Sequence, residues 1–229
     1  TSTPMSTHRT SFLPCKHPQT PSSPHPLCKA CQLAKAHRRS PASSTSSPPQ
    51  QMVLKQGHLK PGQVVSLDQY ECSVRGRLPN TQGREKQHEQ YCGGTIGVDH
   101  ASGKIFLSHQ VSLRAFDTVR SKLFWEQDAT LHGIRIHQYH SDNGVFKSKE
   151  FKQSLPLHSQ TLSFSGTGAH HQNGVAERAI RTICDMARTC LLHAALHWSD
   201  QIHESLWPFA MTYATHIYNN TPNISTGLT

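Results

Sequence analysis

The sequence predicts an α/β domain in which helices cover a mixed sheet. Three observations predict it. Short runs rich in β-branched and apolar residues recur, as in Val64-Val65-Ser66-Leu67, Gly94-Thr95-Ile96-Gly97-Val98 and Ile105-Phe106-Leu107. Between and after them lie longer stretches whose apolar residues return every three or four positions. Gly, Pro and Asn punctuation separates the two kinds of segment, giving the order strand, two-stranded hairpin, helix, strand, helix, strand, long helix, helix.

Each element has a local reason. Lys60-Pro61-Gly62 is a turn that launches the first strand and leaves Asp68 at or near its end. Residues 73–91 are charged, broken by Gly and Pro and almost without large apolar side chains, which predicts a long exposed loop bearing Arg75, Arg77, Arg84 and Lys86. The hairpin over 94–111 turns between His100 and Lys104, with Ser102-Gly103 as its punctuation. Leu113, Phe116, Val119, Leu123 and Phe124 fall at helical spacing and predict an amphipathic helix from Ser112 to about Ala129, stopped by Gly133. Ile134, Ile136 and Tyr139 build a short strand that delivers Ser141-Asp142-Asn143-Gly144, so Asp142 sits where a strand breaks into a turn. Ser148 is placed to cap a helix over 149–155 that Pro156 ends, and Thr161 to Ser165 reads as another strand before the Gly166-Thr167-Gly168 loop.

The long helix that follows carries an apolar stripe of Ala176, Ile180, Ile183, Ala187, Cys190 or Leu191, and Ala194. Glu177 lies beside that stripe in the first turn, with Arg178, Arg181 and Arg188 flanking it and Arg181 spaced to pair with Asp185. Ser199 or Asp200 is expected to cap a last helical region carrying Ile202, Leu206, Phe209, Tyr213, Ala214 and Ile217, kinked or divided at Pro208.

Charge is unevenly spread. Residues 1–67 hold eight Lys and Arg (Arg9, Lys16, Lys29, Lys35, Arg38, Arg39, Lys55 and Lys60) and no Asp or Glu, so this arm carries eight of the nine net positive charges. A basic arm on a near-neutral domain suits a polyanionic partner, with counterion release supplying affinity; the plain alternative is a solvated tail. Residues 1–27 are rich in Ser, Thr and Pro and are expected to be poorly ordered. Cys28-Lys29-Ala30-Cys31 is half of a zinc site, to be completed by Cys15 and His17 or by ligands ahead of Thr1. The seven cysteines have irregular spacing and read as reduced thiols of an intracellular compartment. No apolar run has the length of a membrane span, and no signal peptide is evident. The chain reads as a piece of something longer: a truncated zinc-binding segment over 1–39, a Ser/Pro linker over 40–59 and a folded domain over 60–229.

Three carboxylates have telling addresses: Asp68 on a strand, Asp142 at a second strand end, Glu177 on a helix. Phosphodiester chemistry needs an attacking oxygen activated and a leaving oxygen stabilised beside a polyanion, and acidic side chains recruit the hard cations that do both. Taken singly each residue is weak. Asp142 in Asp-Asn-Gly is a good turn residue, Glu177 could be an ordinary first-turn acid, and Asp99 also ends an apolar strand. Asp68 is preferred to Asp99 because His100-Ala101-Ser102-Gly103 looks like hairpin-turn chemistry. The conjunction points to metal-dependent phosphoryl transfer on DNA.

The same residues carry a family resemblance. From about residue 28 onward the chain resembles the integrase of copia-type LTR retrotransposons, within the retroviral-type DDE integrases. The resemblance rests on Cys28-x2-Cys31 with Lys35 and its basic run, Asp68, Val98-Asp99-His100, His140-Ser141-Asp142-Asn143-Gly144-Val145-Phe146, Gln172-Asn173-Gly174-Val175-Ala176-Glu177-Arg178, Leu206-Trp207-Pro208 and Tyr218-Asn219-Asn220-Thr221-Pro222. It implies an RNase H-like catalytic core and Mg²⁺ or Mn²⁺ on Asp68, Asp142 and Glu177. It also implies 3′-end trimming of element DNA and transfer of the new 3′-hydroxyl into host DNA. Gln172 and Asn173 are then expected near the site against DNA, Arg178 and Arg181 along the DNA-facing side, and Lys35, Arg38 and Arg39 on the basic arm. Zinc on Cys28 and Cys31, a homo-oligomer in the parent and action in the nucleus are further implications. The chain departs from the family in three ways. No matching pair of histidines precedes Cys28, the 73–91 segment lengthens the first carboxylate spacing, and the C-terminal DNA-binding region is missing. The rival reading is a catalytically inactive, nucleic-acid-binding relic of a retroelement polyprotein.

Overall fold

In the computed structural model, residues 29–34, 59–82, 84–165 and 173–222 are described. A five-stranded sheet runs in the order β3-β2-β1-β4-β5. Its strands are β1 (Val65–Gly76), β2 (Tyr91–Asp99), β3 (Ile105–Gln110), β4 (Gln138–Ser141) and β5 (Thr161–Phe164). The first three form an antiparallel meander, and β4 and β5 join the other edge of β1 in parallel. Helices α1 (Lys29–Ala34), α2 (Ala115–Leu131), α3 (Lys149–Ser154), α4 (Gly174–His197) and α5 (Trp207–Asn219) complete the fold. The predicted mixed sheet with flanking helices is present.

Alternation along the strands divides the core between the two faces of the sheet. Tyr70, Ile96, Val98 and Ile105 face α4 and α5, meeting Ala176, Ala179, Ile183, Trp207, Met211 and Ala214. Val65, Leu67, Phe106 and Tyr139 face α2 and α3, meeting Trp125, Ala129, Phe146 and Phe151. The α4 stripe thus buries as its spacing predicts. Ala30 and Ala34 of α1 are fully buried, and the Arg188 guanidinium donates to the Ala34 carbonyl at 3.2 Å, so α1 is seated on α4.

Four expectations are corrected. The segment expected to be loop from residue 73 is strand as far as Gly76, because the Trp207 indole N–H donates to the Val74 carbonyl at 2.9 Å and the Arg77 N–H to Ser205 at 2.8 Å. A Cβ at Gly76 would lie 2.5 Å from the Pro208 ring, so only glycine lets α5 approach. Pro208 neither kinks nor divides a helix. It sits in the first turn of α5, where a missing N–H costs nothing, and that helix begins at Trp207 rather than at a Ser199 or Asp200 cap. Phe209 and Tyr213, placed on the packed face by sequence, are exposed.

The fourth correction is α2, where most of the predicted apolar stripe faces outward: Phe116 is 75% exposed, Phe124 64% and Leu123 43%, while Val119 packs against the core. Its buried face is Thr118, Ser121, Lys122, Trp125, Glu126 and Ala129. Polar side chains of the sheet receive it. Gln69 donates to Thr118 at 3.0 Å, Gln110 to Ser121 at 3.0 Å, and Lys122 pairs with Glu126 at 2.9 Å inside the protein. Hydrogen bonding removes most of the cost of burying that polar face, so periodicity of apolar residues misidentified it.

Candidate metal and nucleic-acid site

The central parallel pair fixes the site. The register of β1 against β4 ends at Leu67 opposite Ser141, and the next residue on each strand is a carboxylate, Asp68 and Asp142. By alternation Asp68 shares a face with Tyr70, which packs under α4. Asp68 lies four residues into a twelve-residue strand rather than at its end; what ends there is the pairing with β4. Past it, β4 turns away at Asp142-Asn143-Gly144, and the Asp142 Oδ1 accepts from the Gly144 N–H at 3.1 Å. This crevice lies beyond the carboxyl ends of parallel strands, where open α/β sheets place ligands.

The third member arrives on α4. Asn173, immediately before the helix, is 1% exposed, and its amide donates to the Leu67 carbonyl at 3.0 Å. That bond ties the start of α4 to β1 next to Asp68, and Glu177 follows in the first turn, exposed to solvent. Asp68 is half-buried, and its Oδ1 accepts from the Gln69 N–H at 2.8 Å. Burial pushes its carboxyl up from the ordinary 3.8 to about 6, and the charges of Asp142 and Glu177 act in the same direction against the Gln69 hydrogen bond. The charges of Asp142 and Glu177 thus reach Asp68. Among the described residues, however, no three His, Cys, Asp or Glu side chains are gathered closely enough to hold a metal ion. The donor set is all oxygen and self-repelling, chemistry that suits a hard divalent cation, although the cage is not closed.

Asp99 is occupied elsewhere. It is 3% exposed, accepts from the Gly62 N–H at 2.9 Å, and takes the Ser102 N–H and hydroxyl at 2.8 and 2.6 Å. It closes the β2–β3 turn and fastens the entry to β1.

Arg178 and Arg181 are exposed on α4, and Asp185 pairs with Arg188 at 3.7 Å. The expectation that Asn173 touches DNA is corrected: its side chain is buried in the β1–α4 strap. Gln172, Lys35, Arg38, Arg39 and Cys28 lie outside the described residues, as does the side chain of Cys31. Asn219, part of the Tyr-Asn-Asn-Thr-Pro run, holds both Ile105 backbone groups, donating to the carbonyl at 2.8 Å and accepting from the N–H at 2.9 Å. It thereby pins α5 to β3. Sequence reading missed the strap role of Asn173, for which burial of a polar residue at a helix start is visible only in three dimensions. No described helix is long and apolar enough to cross a membrane.

No family model matches the chain. Over 93 residues, 40% of its length, it is 31% identical to the retrovirus-related Pol polyprotein from transposon TNT 1-94 of tobacco, Nicotiana tabacum. That match spans 7% of the curated relative. Among solved structures, the HTLV-2 integrase catalytic core domain in complex with magnesium, in its trimeric form, aligns with TM-score 0.50 and 20% identity, covering 75% of this chain and 95% of that one. The dimeric form of the same domain aligns with the same TM-score and identity, covering 94% of its chain. The chain therefore has the RNase H-like fold of retroviral integrase catalytic cores and resembles part of a retrotransposon Pol polyprotein.

Proposed function

We propose that this chain is the catalytic core of a retrotransposon integrase, a polynucleotidyl transferase that trims the 3′ ends of element DNA and joins them to host DNA. The observation that carries this reading is the register: Asp68 and Asp142 are adjacent past the last rung of the parallel pair, and Asn173 straps the helix bearing Glu177 to that rung. The residues to hold Mg²⁺ or Mn²⁺ are Asp68, Asp142 and Glu177. Such a cation would activate the attacking oxygen and stabilise the leaving oxygen. The magnesium named with the HTLV-2 domain supports that choice.

The residues divide the remaining work. Asp68 and Asp142 present fixed carboxylates from the sheet, Glu177 reaches in from an exposed helical turn, and Asn173 sets the helix position. Arg178 and Arg181 offer positive charge for phosphates along α4, with Lys35, Arg38 and Arg39 extending it on the arm. Residues 60–229 form the core in this reading. Segment 1–39 is the remnant of a zinc module, linked through 40–59, and the parent acts as a homo-oligomer in the nucleus. The rival reading, a nucleic-acid-binding relic, draws support from the open spacing of the three carboxylates.

Purified chain with Mn²⁺ is expected to join a labelled terminal oligonucleotide to plasmid DNA, and Glu177→Gln to lower joining by at least a hundredfold while still binding DNA. Full activity in that variant would overturn the ligand assignment. Inactivity of the unmodified chain, with DNA binding retained, would leave the relic reading standing.

A further inference from the structure

Two imidazoles meet at the end of α4 farthest from Glu177. The last turns of that helix read His193-Ala194-Ala195-Leu196-His197, with Trp198 just past the end. Side chains four residues apart on a helix lie one above the other on the same face, so His193 and His197 are neighbours by spacing alone. Their ring centroids are 4.9 Å apart, with the planes inclined at 50°. Trp198 flanks His197, its ring centroid 5.8 Å away. His197 is exposed and His193 half-buried, so solvent reaches the pair.

Other histidines of the domain are engaged in holding the fold. His100, His109, His140 and His203 bond to serine or tyrosine hydroxyls, and His132 to the Asp128 carbonyl. His193 and His197 instead meet each other, and neither ring is hydrogen-bonded to a described residue. Their separation is that of two ligands on one cation. With metal–nitrogen distances of about 2.0–2.1 Å, each ligating ring centre stands about 3.2 Å from the cation, and bond angles of about 90–109° then separate the centres by about 4.5–5.2 Å. The observed 4.9 Å falls within that interval. The place on the helix favours positive charge as well, because the last carbonyls of α4 form the negative end of its dipole.

We infer that His193 and His197 chelate a divalent transition cation of the class of Ni²⁺ or Cu²⁺, each through one ring nitrogen, with water completing the coordination shell. Paired histidines at i and i+4 on one helix face are a recurrent chelate, and imidazole suits these cations better than the hard ions that carboxylates recruit. No third His, Cys, Asp or Glu among the described residues joins the pair, so the protein supplies two ligands. This site lies sixteen residues beyond Glu177 on α4, about 24 Å along the helix axis, and is separate from the three carboxylates in place and in chemistry.

Titration of the whole chain with nickel chloride, followed by backbone ¹H–¹⁵N signals, tests the inference. Nickel is the probe because it is paramagnetic and, unlike copper, does not oxidise thiols. Saturable broadening of the signals of residues 190–200 is expected. Mn²⁺ at the same concentration is expected to leave those signals sharp, since imidazole sites bind it far more weakly. His193→Ala and His197→Ala are each expected to weaken the nickel binding read at these signals at least tenfold. Both side chains reach solvent, so neither change opens the core. Absence of saturable broadening at 190–200, an equal response to Mn²⁺, or unchanged nickel affinity in either variant would overturn the chelate. No readout involves DNA joining, so the outcome is independent of the integrase reading.

Discussion

Asp68 occupies a place that disfavours its own charge. Its folded pKa, about 6, stands above the ordinary 3.8, so the folded chain holds that proton more tightly than the unfolded one. The stabilisation from the protonated form is complete below the unfolded value and is lost as pH rises through about 6, leaving the ionised site penalised at neutral pH. Asp68→Asn is therefore expected to raise the melting temperature at pH 7 and to leave it unchanged near pH 3, measured by thermal unfolding across pH. Mn²⁺ is expected to raise the melting temperature of the original chain and not of the variant. A drop in stability at pH 7 would contradict the picture of an electrostatically strained site. Asn173 acts by position. Asn173→Ala leaves the buried Leu67 carbonyl without its donor and is expected to cost about 1–3 kcal/mol in denaturant unfolding. Mn²⁺ affinity is expected to fall with it although no proposed ligand is touched.

At the scale of elements, α2 offers the sharpest test. Apolar periodicity assigns Phe116, Leu123 and Phe124 to the core, whereas the fold buries Trp125 and Ala129 with a hydrogen-bonded polar face. Phe124→Lys is accordingly expected to change stability by no more than about 0.5 kcal/mol. Trp125→Ala is expected to cost about 3–5 kcal/mol, since its ring packs against Phe106 with centroids 6.0 Å apart. Equal effects in chemical denaturation would restore the orientation read from sequence. By contrast α4 was legible, because Ala176, Ile183 and Ala187 bury on the face that their spacing indicates. Small residues let that helix lie close to the sheet, and no competing polar network is needed.

For the whole molecule, charge and fold divide the labour. Residues 68–229 carry 15 Lys and Arg against 14 Asp and Glu and are near neutral, while eight of the nine net positive charges lie in the first 67 residues. Replacing Lys35, Arg38 and Arg39 by Ser is expected to weaken DNA binding uniformly across sequences. The slope of log affinity against log salt should become shallower by about 2–3, near 0.9 per lost phosphate contact. An unchanged slope would mean that the arm is merely solvated.

The sequence by itself determined the order of elements, the α/β class, the α4 stripe and the three acidic residues proposed for the site, because these depend on local spacing and on turn chemistry carried by neighbouring residues. It also preferred Asp68 to Asp99 on the turn residues following the latter, and Asp99 does accept hydrogen bonds from Gly62 and Ser102. Only the tertiary structure decided how far β1 extends, which face of α2 is buried, and that Asn173 is a strap. Each of these depends on partners distant in the chain: Trp207 for Val74, Gln69 and Gln110 for α2, Leu67 for Asn173. A polar residue is cheap to bury only where another part of the chain brings it a hydrogen-bond partner, and no local pattern records that meeting.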